Sequence, residues 1–141
     1  MLLWILNSLL LIGWFSQTET SLELTITQSK SNLGLIRVLV FDQVKGYPDD
    51  PELANLALSL PITNHHAKIQ LDSLPPGKYA ICAFHDEDEN GKLNKNLFGY
   101  PLERYGFSNN PSVGFSIPSF EKCLIEIKAG KKNKVTIDLK K

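Results

Sequence analysis

The sequence predicts an all-β fold, an antiparallel β-sandwich of six to seven strands with one long structured loop. Three observations carry that prediction. Short stretches of alternating apolar and polar residues recur after residue 21, the pattern of a strand with one buried face. Clusters of Gly, Pro, Asn, Asp and Ser separate them, and almost nothing between them has the helical period. The segment from Ala83 to Asn110 is long, yet dense in Gly, Pro, Asn and aromatic residues, which marks a structured loop rather than a flexible linker.

The N-terminus, MLLWILNSLLLIGWFSQTETS, reads as an export signal spanning residues 1–21. Its apolar run from Leu2 to Phe15 is broken only by Asn7, Ser8 and Gly13 and is short for a bilayer span. It lacks a basic n-region and a clean small-residue cleavage site, so an uncleaved N-terminal anchor is the alternative. Cleavage is expected between Ser16 and Ser21, and either reading places the folded part outside the cytoplasm: periplasmic, cell-surface or secreted.

Residues 22–141 then form a single β-sandwich domain, long enough to bury a core without metal or disulfide. Leu22–Thr27 alternates with period two, and Ser29–Asn32 supplies turn chemistry. Leu33–Phe41, LGLIRVLVF, is rich in β-branched residues and reads as a central strand. Pro51–Leu58 reads as one or two helical turns, since proline suits the first helical position. Ala67–Leu71 alternates again, and Leu74–Tyr79 is a tight turn into a strand over Lys78–His85. In that strand Tyr79, Ile81 and Ala83 share one face and Ala80, Cys82 and Phe84 the other. Both faces are apolar, as in the middle of a sheet. Cys123–Lys128 and Lys134–Leu139 complete the set.

Lysine plus arginine and aspartate plus glutamate number 15 each, so the formal charge is zero and nothing advertises nucleic acid or a basic partner. The one marked charge cluster is Asp86–Glu89. Oxygen-bearing side chains at Asp86, Asp88 and Asn90 precede Gly91, the spacing of a loop that wraps calcium. Lys92 would add a backbone carbonyl and Asn94 a direct or water-mediated contact, with Leu93 packed inward. Position twelve, where an EF-hand places a bidentate Glu, is Leu97. Asn96 and the more distant Glu103 are the residues available to fill that gap. The predicted ligand set is therefore Asp86, Asp88, Asn90, Lys92, Asn94 and Glu103, binding calcium weakly. The competing reading is a hairpin whose Asn90-Gly91 turn is merely decorated with acids.

Two blocks of sequence resemble a known family. They are Leu74-Pro75-Pro76-Gly77-Lys78-Tyr79-Ala80 followed by the run His85–Leu93, and Gly99–Asn109, GYPLERYGFSN. In this order and spacing they resemble the exported bacterial proteins of domain-of-unknown-function family 2141, over roughly Leu22 to Leu139. The resemblance implies an immunoglobulin- or transthyretin-like sandwich and brings no established activity. The family loop often carries Asp where this chain has Asn94, which removes a formal charge from the predicted site.

His85, beside the acids, is either a general base or metal ligand with a nearby carboxylate such as Glu103, or a residue that hydrogen-bonds loop backbone. His65 and His66 sit in an expected exposed turn. No nucleophile elbow, catalytic triad or phosphate-cradling loop is recognisable. The expectation is therefore a non-enzyme, a binding or accessory module, with a hydrolase or metal-dependent enzyme at His85 as the alternative. Tyr100, Tyr105, Phe107 and Phe115 offer an aromatic surface for a carbohydrate or protein partner, or pack the long loop onto the sandwich. A membrane is a partner only if the N-terminal segment is uncleaved. Cys82 and Cys123 either pair in an oxidising compartment or pack as small buried apolar residues.

Overall fold

The computed structural model describes residues 19–141. It contains β1 (Ser21–Thr27), β2 (Leu35–Phe41), β3 (Leu56–Pro61), β4 (Ala67–Leu71), β5 (Gly77–Asp86), β6 (Tyr105–Phe107), α1 (Phe120–Cys123), β7 (Leu124–Ile127) and β8 (Lys132–Asp138). The expected export signal lies outside the described residues except for its last three positions. Two of these belong to the fold, since Gly130 donates its backbone N–H to Thr20 Oγ1 and Ser21 opens β1. The folded unit therefore begins ahead of the expected Leu22.

All-β is correct, and the strands form two sheets. One has the order β4-β1-β8 and the other β3-β2-β5-β6, with β7 also on β5. Strand β5 is ten residues long, so one edge takes two short partners in series, β7 at Gly77–Ala80 and β6 at Cys82–Phe84. Both expected central strands are central.

Three expectations need correction. Among the described residues the strands number eight rather than six or seven, because β3 and β6 lie outside the expected periodic stretches. The sheets are not wholly antiparallel: β1 and β8 run parallel from Ser21↔Lys132 to Thr27↔Asp138. Period-two alternation says which face of a strand is buried, not which strand lies beside it or in which direction. The helical turns expected over Pro51–Leu58 are absent; irregular turns lead directly into β3, which pairs antiparallel with β2 from Leu35↔Pro61 to Val40↔Leu56. The segment LALSLP does alternate, but Ala and Leu are strong helix formers, and only pairing with β2 decides the outcome. Pro61 is tolerated because β3 is an edge strand.

The β3–β4 connection is a tight turn with Asn64 and His65 both at positive φ and a two-way backbone bridge between Thr63 and His66. It carries the chain from one sheet to the other.

Between the sheets lies the main core, including Leu22, Leu24, Ile26, Val38, Val40, Ile81 and Ile137. Burying side chains of this kind contributes about 1.5–3 kcal/mol each. A second cluster sits on the opposite face of the five-stranded sheet, where Phe41, Ala80, Cys82, Phe107 and Cys123 are covered by Tyr47, Val113 and Phe120. Tyr47 stacks edge-on against both Phe41 and Phe120. The two cysteines are free and buried, so the packing alternative holds and the disulfide does not. Cys123 closes α1 rather than sitting within a strand, and its Sγ lies 3.2 Å from the Tyr47 hydroxyl.

Candidate metal centre

The site begins with a register. Strand β2 pairs with β5 so that Leu35 faces Asp86 and Arg37 faces Phe84, which makes Arg37 and Asp86 diagonal neighbours on one face. Arg37 Nε donates to Asp86 Oδ2 at 2.7 Å, and Arg37 Nη1 donates to Ser59 Oγ on β3. Asp86 is fully buried, and this guanidinium balances its charge. Gly34 sits at φ +73°, and any side chain there would run into the Asp86 carbonyl oxygen. The glycine lets the β1–β2 connection approach the start of the acidic loop.

Beyond Asp86 the chain turns with Glu89 and Gly91 at positive φ. Asn90 N–H donates to Asp86 Oδ1 at 3.1 Å and Gly91 N–H to Asp86 Oδ2 at 2.9 Å, so the first acid organises the turn around itself. Asp88 Oδ2 accepts from the side-chain amides of Asn90 and Asn94, at 3.1 and 2.9 Å. The Asn94 amide above all holds the Asp88 carboxyl below its ordinary value of 3.8. The side chains of Glu87 and Glu89 take no part in this turn's hydrogen bonds, and Glu87 pairs with Lys30 at 3.1 Å.

The chain then makes a small finger, with Lys95 bridging Pro101 and Leu102 N–H donating to the Asn94 carbonyl. That return brings Glu103 beside Asn94. Glu103 is 5% exposed; its Oε1 accepts from Glu87 N–H at 3.0 Å and its Oε2 from Asn94 N–H at 2.9 Å. Carboxylate oxygens of Asp86, Asp88 and Glu103 all lie within 4.8 Å of one another.

The structure thus gathers three of the six predicted ligands, Asp86, Asp88 and Glu103. Asn90 and Asn94 are at the site, but both turn amide NH2 groups toward Asp88. Lys92 donates its backbone N–H to Asn90 Oδ1, a contact of the N–H and not of the carbonyl expected as ligand. Leu97 is fully exposed and off the site, while Asn96 caps the finger by accepting from Phe98 and Tyr100 N–H. Of the two residues available for the missing carboxylate, Glu103 is the one in place. The decorated hairpin is not formed, since no strand pairing flanks Asn90-Gly91 and the reversal comes at the finger tip. Sequence reasoning missed Arg37. Its signal was a lone cation in the apolar run LIRVLVF.

His85 is buried, with Nδ1 accepting from Lys30 N–H at 3.2 Å and Nε2 2.7 Å from the Leu33 carbonyl, which assigns the proton to Nε2. Both ring nitrogens tie down the β1–β2 connection, the backbone role. His65 and His66 are exposed as expected, and each bonds a nearby carbonyl, of Ser29 and Asn64. The aromatic residues divide: Phe107 is buried and Tyr105 half-buried in the second cluster, whereas Tyr100 is exposed and Phe115 fully so.

The family model described as "Uncharacterized protein conserved in bacteria (DUF2141)" matches residues 24–136, from within β1 to within β8. The chain belongs to this family. The DUF2141 match spans the acidic loop, the finger and Glu103. No match was found among the curated proteins or among the solved structures.

Proposed function

We propose that this protein is an exported, non-catalytic binding or accessory module on an immunoglobulin- or transthyretin-like sandwich, with a weak calcium site at Asp86, Asp88 and Glu103. Convergence of the three carboxylates within 4.8 Å is the observation that carries this reading. Charge supports it. Arg37 offsets Asp86, and the negative charges of Asp88 and Glu103 remain, the amount a divalent cation balances. Among the described residues Glu103 makes no ion pair although it is buried, a situation that a bound cation would relieve.

Weakness has three physical reasons. No carboxylate stands at position twelve, Arg37 already holds Asp86, and the Asn90 and Asn94 amides must rotate to offer oxygen instead of NH2. Affinity then falls in the range of roughly 10⁻⁴–10⁻³ M typical of extracellular modules. Export is supported by the apolar N-terminal run ahead of the fold.

The test is thermal melting across a calcium series. The melting temperature should climb without saturating until millimolar calcium, as RT ln(1 + [L]/Kd) requires. It should not move for Asp88→Ala, whose fold is intact because Asp88 is exposed. A flat response of the natural protein would remove the calcium reading.

A further inference from the structure

A cavity of about 1080 Å³ opens on the outer face of the five-stranded sheet. The second core cluster borders it on that face, with Leu39, Cys82, Tyr105 and Phe107 belonging to both. Leu39, Ala57, Phe84 and Tyr105, from β2, β3, β5 and β6, form its floor. The finger and the 114–117 segment form its walls. At their tips Phe98 is 94% and Phe115 105% exposed. The finger is not loose, for Asn96 holds its turn through four hydrogen bonds: two to its side-chain oxygen, one to its carbonyl and one from its N–H. A fixed turn that presents a phenylalanine to water over an apolar floor marks a surface made to be covered.

Charge says what covers it. Lys92 and Lys95 line the cavity and make no ion pair among the described residues. Arg37 also lines it but is committed to Asp86 and Ser59. The lysines stand at the end where β5 leaves the sheet. Asp49, the one acid in the lining, belongs to the loop at the far end of β2. From Arg37 to Phe41 the strand separates these ends by about 13 Å. The cavity is thus a hydrocarbon trough, cationic at one end.

We propose that this trough binds a single-chain amphiphilic anion, a long-chain carboxylate, with its tail along Leu39 and Phe84 and its head at Lys92 and Lys95. The hydrocarbon floor favours an acyl chain over the carbohydrate expected from the aromatic residues alone. Phe98 and Phe115 close over the chain and lose their contact with water. The proposal is independent of the calcium site.

The experiment is calorimetric titration of dodecanoate, below its micelle concentration and in EDTA, into the full chain. Saturable micromolar binding is expected. It should weaken by about tenfold or more with dodecyltrimethylammonium as the probe, and equally in Lys92→Glu/Lys95→Glu. Phe98→Ser/Phe115→Ser should lose affinity at an unchanged melting temperature, since both side chains are exposed. Absence of saturable heat, or equal affinity for the two charged probes, overturns the proposal. Binding confined to phosphatidylcholine–phosphatidylglycerol vesicles, without monomeric dodecanoate heat, overturns it in favour of a membrane surface. A dimer that dissociates in Phe98→Ser/Phe115→Ser, again without heat, overturns it in favour of a second copy.

Discussion

Arg37 is the residue on which the charge of the acidic loop turns. It holds a fully buried carboxylate at 2.7 Å while a quarter of its own side chain meets solvent. Arg37→Met should leave Asp86 with backbone partners but no counter-charge, costing roughly 2–4 kcal/mol in EDTA. Calcium should return part of that loss, so urea unfolding with and without calcium should show a larger calcium effect in the variant than in the natural protein. A smaller effect would mean that Arg37 and the cation do not share Asp86. The buried thiols make a pH prediction. Burial above all pushes the Cys82 thiol up from its ordinary value of 9.0, and burial does the same at Cys123 despite the Tyr47 hydroxyl, which pulls the other way. A thiol whose folded value is raised contributes stability fully below its unfolded value and loses it as pH rises through the folded one. Melting temperature should therefore stay level up to about pH 9 and decline above it. Replacing both cysteines by alanine should delay and reduce that decline, and the part that remains belongs to Tyr47, Tyr79 and Tyr105, which burial also raises.

At the scale of elements, β5 shows how a side chain extends a sheet. Past β6, Ser108 continues the pairing: its Oγ accepts from Ile81 N–H at 2.9 Å and donates to the Cys123 carbonyl, all in the buried interior. Ser108→Ala leaves a buried donor and acceptor unpaired and should cost about 1–3 kcal/mol in chemical denaturation. A loss below a few tenths would mean that water replaces the hydroxyl. Six strands were legible in the sequence: Leu33–Phe41 is rich in β-branched residues, Lys78–His85 is apolar on both faces, the others alternate, and turn residues separate them. Strand β3 was hidden by helix-forming composition, and β6 by its length of three residues inside a loop. The parallel neighbour of β1 was not legible at all, because partner choice depends on where the whole chain closes. Within the site, Asp86, Asp88, Asn90 and Asn94 were visible from local spacing. Glu103 was only one candidate, and the finger that delivers it is fixed by Asn96 and the Lys95–Pro101 bridge rather than by spacing.

On the scale of the whole molecule, two surfaces of the five-stranded sheet have different tasks. The inner face builds the shared core, and the outer face holds a small aromatic cluster and an open trough that borders it, sharing Leu39, Cys82, Tyr105 and Phe107. The acidic loop and the finger join where β5 leaves that sheet, so a cation there would brace one wall of the trough without being needed for the core. Calorimetric titration of calcium into the natural protein and into Glu103→Gln tests the site most directly. The variant keeps the shape and one acceptor oxygen and removes the charge. It also turns an NH2 toward one of the two backbone N–H groups that Glu103 accepts from, so its melting temperature in EDTA is measured alongside. Saturable heat at millimolar calcium is expected in the natural protein, and its loss in Glu103→Gln. The same heat in both, or none in either at several millimolar calcium, would contradict that expectation.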